Sequence, residues 1–203
     1  MMKSASEMWD QRYANETFAY GTEPNAFFKE ELLKLKAGQI LLPAEGEGRN
    51  AVFAAKQLWQ VVAFDQSKQG RQKALELAHE NQVEIEYVTA GFEDFITEKE
   101  HFDCIALIYA HVPENKRKEY HASITQYLKP GGVLILEGFS KEQLGKASGG
   151  PGKVEMLFSK ENVLNDFSEL ETIKLQELDV DLSEGAFHQG KASVIRYIGK
   201  KKA

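Results

Sequence analysis

Glu45-Gly46-Glu47-Gly48 packs two glycines and two carboxylates into one short stretch, and Asp65 follows Gly46 by 19 residues. The glycines let a ligand approach the main chain, and a helix starting near Gly48 offers unpaired N–H groups. An acid at the end of the following strand accepts hydrogen bonds from two ribose hydroxyls. Loop and acid together point to an adenosine-type cofactor. Gly46, Gly48 and Ala51 also satisfy G-x-G-x-x-G/A, the dinucleotide pattern. Charge separates the candidates. A pyrophosphate beside Glu45 and Glu47 meets like charge, whereas S-adenosylmethionine (AdoMet) has no phosphate and presents an ammonium and a sulfonium. The acidic loop therefore favours AdoMet over NAD(P).

A methyl transfer from a sulfonium has a good leaving group, so positioning and desolvation supply most of the catalysis. A base is needed only for a nucleophile that carries a proton. His111 follows the fourth strand at the edge where open α/β sheets place ligands, which makes it the first candidate for base or substrate ligand. His188 lies between the last two strands, in a loop that reaches toward the same edge. Trp9, Tyr13 and Tyr20 precede the fold proper and suit a lid that keeps water from a sulfonium, or an amphipathic helix packed on the sheet. Arg12 and Arg49 suit an anionic substrate or a cofactor carboxylate, or plain surface ion pairs. Cys104 sits inside an apolar strand and reads as a small core residue.

These residues need a sheet to hold them. Apolar runs alternate with helical stretches along the chain, the signature of βα units around a mostly parallel sheet. Ile40–Leu42, Val61–Phe64, Ile85–Thr89, Phe102–Ile108 and Val133–Leu136 read as five parallel strands. Helices are expected after Pro24, from Gly48, over Ser67–Glu80, over Pro113–Leu128 and over Ser159–Phe167. Lys129-Pro130-Gly131-Gly132 reads as a turn, and Ser148-Gly149-Gly150-Pro151-Gly152 as a mobile loop. Thr172–Leu182 and Ala192–Ile198 form an antiparallel end pair. We divide a single domain, 1–203, into an N-terminal helical or lid segment (1–37), a cofactor-binding core (38–140) and a tail (141–203) of loop, short helix and strand pair.

With 42% hydrophobic residues the chain can bury a core, and no apolar run approaches the ~18 residues of a membrane span. The single cysteine excludes an internal disulfide and a Cys-rich zinc site, so no metal is expected and a reducing cytoplasm is the simplest location. The formal net charge of −6 repels a phosphate backbone, and the expected partner is a small molecule rather than nucleic acid or membrane, with the chain a monomer or homodimer.

The chain resembles a class I AdoMet-dependent methyltransferase over roughly residues 7 to 199, and is similar within that superfamily to the small bacterial tellurite-resistance and thiopurine-type group. The resemblance rests on Tyr20-Gly21-Thr22-Glu23-Pro24, Ala44-Glu45-Gly46-Glu47-Gly48-Arg49-Asn50, Asp65-Gln66-Ser67, Phe102-Asp103, Tyr127-Leu128-Lys129-Pro130-Gly131-Gly132 and Gly149-Gly150-Pro151. It implies a Rossmann-like seven-stranded α/β sheet of order 3-2-1-4-5-7-6, strand 7 antiparallel, with helices on both faces. It also implies that Glu45 to Gly48 hold the methionine part, that Asp65 binds ribose with Gln66 beside it, and that Gly91, Phe92 and Glu93 flank adenine. Tyr109 and His111 would line the floor near the methyl group. Two positions depart from the family pattern D-x-G-x-G-x-G: Leu42 replaces the leading acid and Ala44 the first glycine, with Glu45 standing in for part of that role. The turn also has Gly91 where an aspartate is usual, leaving adenine to backbone groups and Phe92. The expected activity is methyl transfer to a small nucleophile such as a thiol or a chalcogen oxyanion like tellurite. A non-catalytic AdoMet-binding protein and an NAD(P)-dependent reductase are the alternatives.

Overall fold

The computed structural model describes residues 4–203. Seven strands form one sheet: β1 (Gln39–Pro43), β2 (Gln60–Asp65), β3 (Glu86–Thr89), β4 (Phe102–Ile108), β5 (Leu128–Phe139), β6 (Leu170–Glu184) and β7 (His188–Lys201). Their order is 3-2-1-4-5-7-6. The first five pair in parallel, and β7 runs antiparallel to both β5 and β6.

Period-two alternation sorts the apolar side chains between two layers. On one face Ile40, Leu42, Val61, Ala63, Cys104 and Ala106 pack against α2 (Ala26–Leu32) and α3 (Arg49–Lys56). On the other, Leu41, Ile105, Leu107, Leu134 and Leu136 meet α5 (Glu114–Thr125) and α6 (Lys160–Asp166). Strand β4, with six of its seven residues buried, is the central strand that its continuous apolar run implies. Cys104 is fully buried there.

Two expectations need adjustment. Lys129–Gly132 does not separate a helix from a strand: β5 starts at Leu128, and the register jumps from Phe102↔Leu128 to Cys104↔Val133, so the Pro-Gly-Gly segment bulges out of one long strand. The end pair is also longer than the alternation suggested, leaving only residues 185–187 as the hairpin tip. Most β6 side chains are at least partly exposed, so burial alternation reports its ends poorly.

The remaining helices are α1 (Ala5–Tyr13) and α4 (Lys68–Glu80). Ser4 and Glu7 form a capping box at the start of α1. Asp10 of α1 accepts hydrogen bonds from the Ser67 hydroxyl (2.6 Å) and the Gln69 N–H (3.1 Å), which fastens α1 across the N-terminus of α4. Helix α4 in turn presses on the loop after β1. A Cβ at Gly48, where φ is +86°, would lie 2.5 Å from the Ala74 Cβ. Gly48→Ala is therefore expected to lower stability in urea unfolding by roughly 2–4 kcal/mol, combining left-handed strain with overpacking.

Candidate active site

The loop Ala44–Gly48 leaves β1 at the C-terminal edge of the sheet, between β2 and β4, where the strand order reverses. Ala44, Gly46 and Gly48 all take positive φ (52°, 61° and 86°), which coils the main chain tightly in front of α3. The Glu45 carboxylate then turns back onto the helix. Its Oε1 accepts the N–H groups of Asn50 and Ala51, both at 2.8 Å, and its Oε2 accepts the Asn50 amide at 3.2 Å. A side chain of the loop itself thus caps the donors that a dinucleotide-binding fold leaves for a pyrophosphate.

Glu47 is also used internally. It accepts the Ala19 N–H at 2.7 Å and pairs with Lys73, whose ammonium donates to the carbonyls of Asn15 and Thr17 (both 2.9 Å). Both loop glutamates are buried, so their charges act through the protein rather than through water.

Asp65 ends β2 with Oδ2 accepting the Gly46 N–H (3.1 Å) and Oδ1 the Ser67 N–H (2.8 Å). Each oxygen keeps a second lone pair, the chemistry that two ribose hydroxyls require. Burial pushes its carboxyl up to about 6 against those hydrogen bonds. Gln66 beside it is half-buried, and its amide makes no hydrogen bond within the described residues. The Tyr13 phenol closes over the glycine loop: a Cβ at Gly46 would sit 2.6 Å from its oxygen. Trp9 stacks on Tyr13 at 5.5 Å, and the Tyr87 hydroxyl donates to the Gly46 carbonyl at 2.7 Å. The aromatic segment therefore covers this edge, as a lid would.

The turn after β3 is more distant in character. Phe92 is clasped between Tyr120 (stacked, 5.3 Å) and Phe64 (edge-on, 5.4 Å), while the exposed Glu93 accepts from the Tyr120 hydroxyl at 2.6 Å. Gly91 has only the Asp94 carboxylate near its missing side chain, at 3.5 Å.

Next to this cradle, Tyr109, Phe139, Tyr20 and His188 form an aromatic box, the His188 ring lying 4.5, 5.2 and 4.4 Å from Tyr109, Phe139 and Tyr20. Tyr109 leaves β4 at φ +52° and donates its hydroxyl to Glu137 at 3.1 Å. His188 opens β7, its Nδ1 3.4 Å from Glu184, and its Nε2 has no hydrogen-bond partner among the described residues. Glu184 accepts from Arg49 (2.8 Å) and from the Asn25 amide (3.0 Å). Burial alone would raise Glu184, but the hydrogen bonds and charges of His188 and Arg49 outweigh it and hold the carboxyl at about 2. Burial also lowers His188, so the ring stays neutral near pH 7 beside an ionised Glu184.

His111, the first candidate from sequence, is placed differently. Its Nδ1 meets the Met156 carbonyl at 2.8 Å and its Nε2 accepts the Phe139 N–H at 3.0 Å. Both nitrogens are spent on main chain, and burial pushes the ring down to about 4. This histidine is a bracket between β5 and the loop before α6. Sequence reasoning singled out neither Glu184, Glu137, Asn25 nor the role of Arg49; the only local hint was a carboxylate four residues before a histidine in a hairpin.

Among the described residues, no three His, Cys, Asp or Glu side chains gather as a metal site, and no helix is long and apolar enough to cross a membrane.

Residues 40–132, which span β1 to the start of β5, match a family model described as a methyltransferase domain. That stretch, a little under half of the chain, is similar to a methyltransferase domain. The chain is an enzyme of AdoMet-dependent methyl transfer, and AdoMet is its cofactor. The phosphate-free cofactor agrees with a helix end already capped by Glu45. Solved structures share the fold at low identity. A SAM-dependent methyltransferase from Methanosarcina mazei is 15% identical, covering 89% of this chain and 99% of that one at a TM-score of 0.70. TehB from Haemophilus influenzae is 11% identical, covering 97% and 67% at 0.73. A structure described for the conversion of a disulfide bond into a thioacetal group during echinomycin biosynthesis is 15% identical, covering 98% and 93% at 0.78. No curated protein matches the chain by sequence.

The chain buries Glu45 at a cost that pH reveals. Burial pushes its carboxyl from 4.5 to about 7, against the hydrogen bonds from Ala51 and Asn50. The native state then holds this proton more tightly than the unfolded chain, so the Glu45 contribution to stability falls as pH rises from 4.5 through 7. Glu45→Gln is expected to flatten stability against pH in that window, measured by urea unfolding. A residual slope from Asp65, between 3.8 and about 6, should persist.

Proposed function

We propose that this enzyme methylates a small protic nucleophile of the thiol or chalcogen type, with His188 as the group that takes the proton. The carrying observation is the free Nε2 of a neutral histidine whose Nδ1 faces an ionised carboxylate, inside an aromatic box adjoining the glycine loop. Bound AdoMet supplies an electrophilic methyl group on a sulfonium. The rest belongs to this chain. Asp65 and Gln66 hold ribose, the turned main chain at Gly46 and Gly48 lies along the methionine part, and Gly91 and Phe92 border adenine while Glu93 stays on Tyr120. Tyr13, Trp9 and Tyr20 exclude water, and the faces of Tyr20 and Tyr109 favour a cationic sulfur.

A thiol acceptor would take the methyl group that bound AdoMet supplies and would give up its proton. The thiol proton goes to His188 Nε2, and Glu184 stabilises the imidazolium through Nδ1–H. Tyr109 keeps its proton, because burial and Glu137 hold its phenol well above the ordinary value, so it acts as a wall and a donor rather than a base. The sulfur chemistry named in the echinomycin structure's description is in keeping with the acceptor class.

Two experiments test this reading. Calorimetric titration with S-adenosylhomocysteine is expected to show affinity rising with pH through about 6 as Asp65 ionises. Asp65→Asn should weaken binding by ~1–3 kcal/mol and remove that pH dependence. In a methylation assay, His188→Asn is expected to lower kcat on neutral thiols about 10²-fold with cofactor affinity unchanged. With tellurite, already an oxyanion, the loss should be small. Wild-type turnover of thiols should rise with pH and level off below the ordinary histidine value of 6.5, because burial lowers His188. An unchanged kcat on thiols in His188→Asn would refute the base.

A further inference from the structure

The aromatic box has one wall without side chains. Residues 148–150 cross it with Gly149 at φ +119° and Gly150 at φ +92°. A Cβ on Gly149 would fall 2.7 Å from His188 Cδ2, 3.4 Å from its Nε2 and 2.5 Å from the Phe187 carbonyl oxygen. A Cβ on Gly150 would fall 2.8 Å from Phe139 Cδ2. The main chain thus lies directly along the imidazole edge that carries the free nitrogen, at a distance that only glycine allows.

Such a Gly-Gly-Pro-Gly stretch has no reason of its own to stay there. One side chain holds it. Gln143, 2% exposed, donates from Nε2 to the Ser148 hydroxyl (2.9 Å) and to the Gly149 carbonyl (3.0 Å). Its Oε1 accepts the Ser193 N–H of β7 at 2.8 Å. Ser148 continues the chain of bonds by donating to the Lys191 carbonyl at 2.6 Å. A neutral amide fits this place because it must donate on one side and accept on the other; a carboxylate or an ammonium satisfies only one of them.

We propose that Gln143 is a positioning residue that holds Gly149 and Gly150 as a main-chain wall beside His188, and that this wall admits only small acceptors to the histidine. The proposal rests on the reading of His188 as facing the acceptor, and its test does not require turnover. Imidazoles of the full-length protein are acylated with diethyl pyrocarbonate, which is small, and with di-tert-butyl dicarbonate, which is bulky, and each histidine is followed by peptide mass spectrometry. In the wild type the small reagent should outpace the bulky one at His188. Gln143→Glu keeps the acceptor for the Ser193 N–H and removes both donors to the loop. It is expected to speed acylation of His188 by the bulky reagent about tenfold, the scale of two lost hydrogen bonds. The rates at His79 and His101, far from the loop in sequence, should not change, which a general loss of stability would not allow. Ser148→Ala, which removes one hydroxyl and brings in no charge, should shift His188 the same way to a smaller extent and serves if Gln143→Glu does not fold. Equal access of both reagents in the wild type, or an unchanged ratio at His188 in the folded variants, would overturn the proposal. Failure of the base reading is separate, since it shows only in the turnover of His188→Asn.

Discussion

A helix that starts inside a protein must find acceptors for its first N–H groups, and here the Glu45 carboxylate meets that demand from within the loop leading to α3. Much of this edge of the sheet follows from this one contact. For the carboxylate to reach the N–H groups five and six residues ahead, the loop must coil, and Ala44, Gly46 and Gly48 take left-handed conformations to do so. The coil brings the Gly46 N–H to Asp65 and its carbonyl to Tyr87, which ties the loop to β2 and β3. It also fills the place where a pyrophosphate would otherwise bind. The cost is a desolvated carboxylate and a strained alanine, of the kind found where geometry matters more than stability.

A second buried network joins this edge to the aromatic box. Arg49, the first residue of α3, donates to Glu184 and to the Tyr20 carbonyl. Asn25 bridges Glu184 and Glu137, and Glu137 pairs with Arg196. Glu137 is 1% exposed, so these charges gain little net stability over a packed apolar alternative; what they supply is a fixed geometry. The N-terminal segment, the ends of β4 and β5, and the hairpin tip are thereby held in one register. Close backbone approach does the same without charge: Gly185 has no room for a Cβ, with the Ala19 carbonyl and the Gly21 nitrogen both 2.5 Å from where it would stand.

The parts of this arrangement legible in the sequence are those with local causes. Apolar runs marked the strands, capping residues marked Ser67 and Ser159, and the Gly46–Asp65 spacing marked two residues that the fold joins by a hydrogen bond. The same reasoning recognised the acidity of the loop but not its destination. Glu45 and Glu47 looked like charges offered to a ligand; they are bonded to α3 and to the N-terminal segment. The histidines show the same limit. His111 sits at the favoured strand end, yet Met156 and Phe139, far along the chain, occupy its nitrogens. Glu184 and Gln143 become meaningful only once β6 and β7 pair and bring Arg49, Ser193 and the glycine loop beside them, and no periodicity encodes that.

Solved structures at 11–15% identity retain this fold, so the sheet itself places few demands on particular side chains. What it constrains is topology: the β1 loop on one side of the switch point and the β5–β7 edge on the other. Methyl transfer from a sulfonium needs two components brought into line and kept dry, more than it needs a strong acid or base. A fold that can fix a cofactor at one edge and let loops build the opposite wall meets that need directly. In this chain the division falls at Tyr109. Its main chain, at φ +52°, ends the central strand, while its ring and hydroxyl face His188 and Glu137 on the side proposed for the acceptor. The strain of that residue, about 1–2 kcal/mol for a side chain in the left-handed region, is borne by the buried strand beneath it. The proposed cofactor side is therefore built from main chain and short-range caps, and the proposed acceptor side from aromatic faces and long-range polar contacts, which leaves the second free to vary while the first is held.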